Sequence, residues 1–157
     1  MGYRTISMPD VNDLSALFKN SLLSDLELPH VTKLHNLLEC GQAEAGECIR
    51  PRGEKNPALF VINSGHVQLR MAGSPVPVAE LQRGEAFGLF SILFAGEATT
   101  DAYAVDRSTF IVLDGSTLRM LEMSSPQLAL LILRSIRSHL SPIIYQALPV
   151  IGRSCLK

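Results

Sequence analysis

Turn formers punctuate the middle of this chain too often for any long element to run through it. They stand at Gly41, Gly46, Gly53, Asn63-Ser64-Gly65, Gly73-Ser74-Pro75, Gly84, Gly96, Asp106 and Asp114-Gly115. Between them lie short runs rich in Val, Ile, Leu and Phe, the pattern of many short strands in a sandwich or barrel. The clearest runs are Ala58 to Ile62, His66 to Met71, Val76 to Leu81, Ala102 to Ala104 and Thr109 to Leu113. Within His66 to Met71, Val67, Leu69 and Met71 point to one face and His66, Gln68 and Arg70 to the other.

Both flanks read differently. Met1 to Pro9 reads as a loose end; Asp10 then caps a helix carrying Leu14, Leu17, Phe18, Leu22 and Leu23. Ser24 is a second cap, Pro29 an interruption, and Val31, Leu34, Leu37 and Leu38 return to the helical period. Beyond Gly115, Ser116 caps a short helix over Leu118 to Met123, and Ser125-Pro126 opens a long one. Leu133, Ile136, Leu140, Ile143, Ala147 and Val150 repeat along it at three-four spacing, with a kink or restart expected at Pro142. The chain thus divides into a helical segment 1–38, a β segment 39–115 and C-terminal helices with a tail, 116–157. At 157 residues with 46% apolar content, it supports one domain with a proper core.

Several function classes are disfavoured. The net charge is −1 and the basic residues form no stripe, so no nucleic-acid partner is expected. The longest apolar run, Leu128 to Leu133, ends at Arg134, far short of a membrane span. The N-terminal Met-Gly has Ile6 where myristoylation needs Ser or Thr. Cys40, Cys48 and Cys155 lack CxxC spacing and read as free thiols. With no targeting segment recognised, a cytoplasmic location is expected.

Three local motifs in this order resemble the cyclic-nucleotide-binding domain family. Ala58-Leu59-Phe60-Val61-Ile62-Asn63-Ser64-Gly65-His66-Val67 looks like its strand, Ser-Gly turn and returning strand. Val78-Ala79-Glu80-Leu81-Gln82-Arg83-Gly84-Glu85-Ala86-Phe87-Gly88 is similar to the run entering its phosphate-binding cassette. Thr109 to Asp114, followed by a helix, resembles its last strand and hinge helix. Gly46-Glu47-Cys48-Ile49 and Arg52-Gly53 fit an earlier family pattern. The resemblance covers roughly residues 30 to 140 and implies a mainly β fold. That fold is a cupin-like β-roll (double-stranded β-helix or jelly roll), flanked by N-terminal helices and a long C-terminal helix. Gly65 is read as closing a tight hairpin, Gly84 as the turn into the cassette, and Gly88 as permitting close backbone approach.

In the family, the cassette holds a cyclic phosphate with backbone N–H groups at a short helix, an Arg, and a Glu directly after Phe-Gly that accepts from the ribose hydroxyl. Aligned without gaps to residues 87–100, the Glu position is Leu89 and the Arg position is Ala98, beside Glu97. A hydrogen bond to a charged group contributes about 1.5–3 kcal/mol, so losing the Arg weakens binding roughly ten- to hundred-fold. Ordinary cyclic AMP or cyclic GMP binding is therefore not expected. The ligand-facing set would be Phe87, Gly88, Leu89, Phe90, Ala98, Thr99 and Thr100, with Tyr103 beside them. Phe87, Phe90, Ile92, Leu93 and Phe94 are expected to pack against the roll, and Arg52, Arg70, Arg83 or Arg107 could replace the missing cation.

The resulting expectation is a non-enzymatic regulatory, sensor or interaction module of signal transduction, of the bacterial sensor type, with no cofactor. No helix-turn-helix follows the long helix, so output would pass to another, unknown protein chain. That helix could seam a homodimer or cover its own β-roll. Alternatives are a working sensor of cyclic nucleotide through non-standard contacts, or a sensor of an apolar molecule. A cupin-type metalloenzyme is less favoured, because His30, His35, His66 and His139 are dispersed without an HxH pair. A hydrolase has no GxSxG elbow, and the acid pair Glu85 and Glu97 stands on nothing else.

Overall fold

Two antiparallel sheets face each other, and helices cover the outer face of one of them. The computed structural model describes residues 2–71 and 74–155, with side chains as far as residue 140. The strands are β1 (Arg4–Ile6), β2 (Glu39–Ala43), β3 (Cys48–Arg50), β4 (Ala58–Ser64), β5 (Val67–Arg70), β6 (Pro77–Leu81), β7 (Ala86–Phe87), β8 (Asp101–Ala104) and β9 (Ser108–Asp114). The helices are α1 (Val11–Lys19), α2 (Leu28–His35), α3 (Leu89–Phe94), α4 (Gly115–Ser124) and α5 (Pro126–Cys155). One sheet has the order β1-β2-β9-β4-β7 and the other β3-β8-β5-β6. The fold is the expected mainly β, jelly-roll-like architecture with flanking helices.

The apolar runs of β4 and β9 follow from burial on both faces. Phe60, Ile62, Phe110 and Val112 enter the core between the sheets, with Ile49, Val67, Leu81, Ala102 and Ala104. Leu59, Val61, Ile111 and Leu113 alternate with them and pack outward under the helices. Val67 and Leu69 of β5 likewise turn inward, as alternation predicts, while Met71 beyond the strand is exposed.

The termini depart from the expectations. The N-terminus is not a loose end: Arg4, Thr5 and Ile6 pair with Gln42, Gly41 and Cys40. Tyr3 also sets its ring edge-on to Phe110, centroids 5.1 Å apart. Asp10 caps α1 as expected, accepting from the Asp13 N–H at 2.8 Å. The cap of α2 is Glu27 rather than Ser24, and Pro29 sits inside its first turn instead of interrupting a helix. Proline suits that turn because the N–H it lacks has no intrahelical acceptor. Asp114, not Ser116, caps α4, accepting from the Thr117 N–H at 2.8 Å and from the Ser116 hydroxyl at 2.7 Å. Burial works to raise the Asp114 carboxyl, but these hydrogen bonds outweigh it and hold the group below its ordinary value.

Gly65 does not close a hairpin. β4 and β5 belong to opposite sheets, so the Ser-Gly step is a corner of the roll. The glycine is still required there: φ is +90°, and a Cβ would strike Ser108 and the Arg107 carbonyl.

Helix α5 runs from Pro126 to Cys155 as one element, without a restart at Pro142. Leu128, Ala129, Ile132, Ile136 and Leu140 form its buried stripe, part of the same core as Leu59, Val61, Ile111 and Leu113. Over its described length the helix thus covers its own sheet, leaving Leu130 exposed and Leu133 partly so. The side chains of Pro142, Ile143, Ala147, Val150 and Cys155, and the Gly73 turn position, lie outside the described residues. Cys40 is buried and Cys48 half-buried, both free, and burial pushes both thiols up. Among the described residues no helix is long and apolar enough to cross a membrane.

Candidate functional site

The stretch from Phe87 to Thr100 folds around the mouth of a cavity of about 650 Å³. Phe87 ends β7 with its ring stacked on Phe60 at 4.6 Å, which anchors the entry to α3. Gly88 then turns the chain in the left-handed region at φ +88°, where a Cβ would also strike the Ala58 carbonyl of β4. The close approach that glycine permits here is to a neighbouring strand.

Helix α3 is only six residues long and can bury one face. Leu89 and Ile92, three apart, turn into the helical core. Phe90 and Phe94, four apart, do not pack against the roll as expected. They are exposed and stack on each other at 6.2 Å. Beyond the helix, Ala98 is fixed by reciprocal backbone bonds with the β3–β4 loop: the Gly53 N–H donates to its carbonyl at 2.8 Å, and its own N–H to the Glu54 carbonyl at 2.9 Å.

Phe87, Gly88, Leu89, Phe90, Ala98, Thr99 and Thr100 all border this one cavity. Tyr103 does not. It alternates with the inward Ala102 and Ala104, and its ring carries the Arg70 guanidinium at 4.5 Å on the outer face. Glu97 is exposed and away from the cavity wall. From the other side, Leu69, Ala79 and Leu81 supply apolar wall, and His139 and Leu140 of α5 reach the rim.

Three of the four cations considered from sequence are committed elsewhere. Arg107 pairs with Glu44 at 2.9 Å, Arg70 bonds Gln68 at 2.9 Å, and Arg52 is exposed. Arg83 reaches the rim, but its guanidinium is held by the Asn63 carbonyl and side chain at 2.9 and 2.8 Å.

A second cation lining the cavity is Arg50, which strand alternation hides. A bulge in β3 sets Cys48 opposite Tyr103 and Arg50 opposite Ala102, so two steps along one strand match one step along the other. Arg50 therefore turns inward with Ile49, and only 4% of it is exposed. Its guanidinium donates to the carbonyls of Asn56 (2.5 Å), Ala58 (3.3 Å) and Glu54 (3.4 Å) and to the Ser91 hydroxyl (3.2 Å). Arg50 thus ties the β3–β4 loop to α3. Burial lowers its pKa, opposed by Glu54 and Tyr3.

The histidines do not assemble. His30 Nδ1 accepts from the Glu27 N–H, His35 meets the Pro9 carbonyl, and His66 faces Glu80 at 3.7 Å. Among the described residues no group of three His, Cys, Asp or Glu side chains could hold a metal ion.

Comparison with known proteins agrees with this geometry. The profile of the cyclic nucleotide-binding domain family matches residues 41–125. A protein described as a potassium channel, from Rhodopseudomonas palustris, is 31% identical over 112 residues, covering 69% of this chain and 26% of that protein. A cGMP-dependent protein kinase of Caenorhabditis briggsae is 27% identical over 106 residues, covering 68% of this chain and 14% of the kinase. The chain thus spans only a minor part of each relative. A cyclic nucleotide-binding domain from Methylobacillus flagellatus superposes with a TM-score of 0.80 at 17% identity, covering 98% of this chain and 89% of that one. The catabolite activator protein of Thermus thermophilus superposes at 0.70 with 23% identity, covering 85% and 62%.

Proposed function

The chain belongs to the cyclic nucleotide-binding domain family, and from that premise we propose that it is a non-enzymatic regulatory module that does not hold cyclic AMP or cyclic GMP in the family's usual mode. The observation that carries this reading is the character of two cavity-lining positions. Leu89 and Ala98 are aliphatic, 9% and 7% exposed, where the family's contacts to ribose and phosphate would stand. Arg83 at the rim is tied to Asn63, and Arg50 to four protein acceptors. A cyclic phosphate would therefore meet no cation placed in the usual way, and the ribose hydroxyl would meet a leucine. Calorimetric titration of nucleotide-free protein with cyclic AMP and cyclic GMP tests this. No heat up to millimolar ligand is expected; micromolar binding would refute it.

A second reading, a sensor for a different small molecule, is favoured by the cavity itself. A volume of about 650 Å³ lies within the range of small-molecule sites, and its walls are largely apolar. Output to another chain, or to a second copy, would leave through α5, whose Leu130 and Leu133 retain accessible apolar surface.

A further inference from the structure

We propose that the large cavity takes a small organic monoanion, its charged head on the buried guanidinium of Arg50 and its apolar body against Leu81, Phe87 and Leu89. This rests on the reading of the cavity as a ligand pocket. It identifies the class of ligand and the residue that selects it.

The first observation is a missing ion-pair partner. Arg50 is 4% exposed, yet every acceptor it reaches is neutral: three backbone carbonyls and one hydroxyl. None of the ion pairs among the described residues includes it. Its Nε is buried with no hydrogen-bond partner at all. A guanidinium stays protonated under these conditions, and a cation removed from water is ordinarily paired with an anion. Glu54 opposes the charge without forming an ion pair, so the cation is incompletely matched and one N–H donor has no partner.

The second observation is placement. The β3 bulge turns Arg50 into the interior, where it borders two cavities. The smaller, about 320 Å³, carries Glu39, Glu54 and Asp114 against one further cation, Arg119, so its carboxylates disfavour an anion. In the larger, Glu85 is the carboxylate among the lining residues, and it accepts from the Gln82 N–H at 3.1 Å. The larger cavity is therefore the anion site. One cation without an ion-pair partner fits a carboxylate or a phosphodiester better than a doubly charged phosphate monoester. Beside that head the wall is apolar, so the remainder of the ligand is apolar too. Because Arg50 also holds Ser91, a head seated on it bears directly on α3.

The test compares octanoate, octanol and cyclic AMP on the full chain and on Arg50→Met and Arg50→Lys, by calorimetry and thermal shift. Octanoate and octanol present the same body with and without the charge. On the unaltered protein octanoate is expected to bind roughly ten- to hundred-fold more tightly than octanol. Arg50→Met should erase that preference and Arg50→Lys retain part of it. Equal binding of the two probes by the unaltered protein overturns the proposal without needing any variant to fold. Undiminished octanoate binding by a folded Arg50→Met protein overturns it as well. Cyclic AMP separates the two readings. Binding lost in Arg50→Met would refute the expectation of no cyclic AMP binding while supporting Arg50 as the anion site, with a phosphodiester head. Binding unchanged in Arg50→Met would refute both.

Discussion

Ala98→Arg should restore part of a nucleotide site. Ala98 lines the cavity and is pinned from both sides of its peptide by Gly53 and Glu54, so a longer side chain at this position starts from a fixed backbone. With about 650 Å³ beside it, the guanidinium has room to enter without displacing core. A charge-assisted hydrogen bond to a cyclic phosphate contributes about 1.5–3 kcal/mol, or roughly ten- to hundred-fold in affinity. Arg50 borders the same cavity, and repulsion between the two cations moves the expected gain towards the ten-fold end. Leu89→Glu is a different matter. Leu89 packs in the helical core at 9% exposure, so its removal costs about 2–5 kcal/mol of stability before any gain from the ribose contact. The single Ala98→Arg protein is therefore the cleaner test, and the double variant should bind more tightly only where circular dichroism finds it folded. Titration calorimetry with cyclic AMP measures both against the unaltered chain. A folded Ala98→Arg protein with no gain over the unaltered chain would refute the reasoning. The defect would then lie in the backbone of 87–100, or Ala98 would not be the position of the missing cation.

Further outcomes follow from the packing. Gly88→Ala forces a side chain into φ +88° and against the Ala58 carbonyl; the left-handed conformation alone costs about 1–2 kcal/mol, so the unfolding free energy from urea titration should fall by more than that. Ile132→Ala, at a fully buried position of α5, should cost about 2–5 kcal/mol in the same assay, and a loss below 1 kcal/mol would contradict the packing of α5 on its own sheet. Asp114→Ala removes the α4 cap and should cost about 0.5–2 kcal/mol at neutral pH. Because the Asp114 carboxyl is held below its ordinary value of 3.8, the cap's contribution is complete above that value and is lost as pH falls through the depressed one. The two proteins should therefore converge in acid, and a gap independent of pH would contradict the assignment. Homodimerisation through α5 predicts a doubled mass by light scattering at micromolar concentration; a monomeric mass would refute it.

The order of helices, roll and long helix is legible along the chain, because turn chemistry and hydrophobic period are local properties. The sequence by itself also determined the chemistry at the mouth of the cavity, since Leu89 and Ala98 are aliphatic wherever the chain places them. Tertiary pairing decided the rest. Arg4–Ile6 is too short to carry a period, and it is a strand only because β2 offers an unpaired edge. Pro29 reads as a break until Glu27 caps the turn that contains it. Gly65 has hairpin chemistry, but the partners of β4 and β5 lie in opposite sheets. Phe90 stands inside the stretch 87–100 and Tyr103 just beyond it, yet both face away from the core, because a six-residue helix has one inner face and a strand alternates. Arg50 is the fullest case. Alternation from Ile49 places it outside, and one bulge, set by the pairing of β3 with β8, turns its charge into the cavity. No local pattern encodes that register, which exists only once strands far apart in the chain have met.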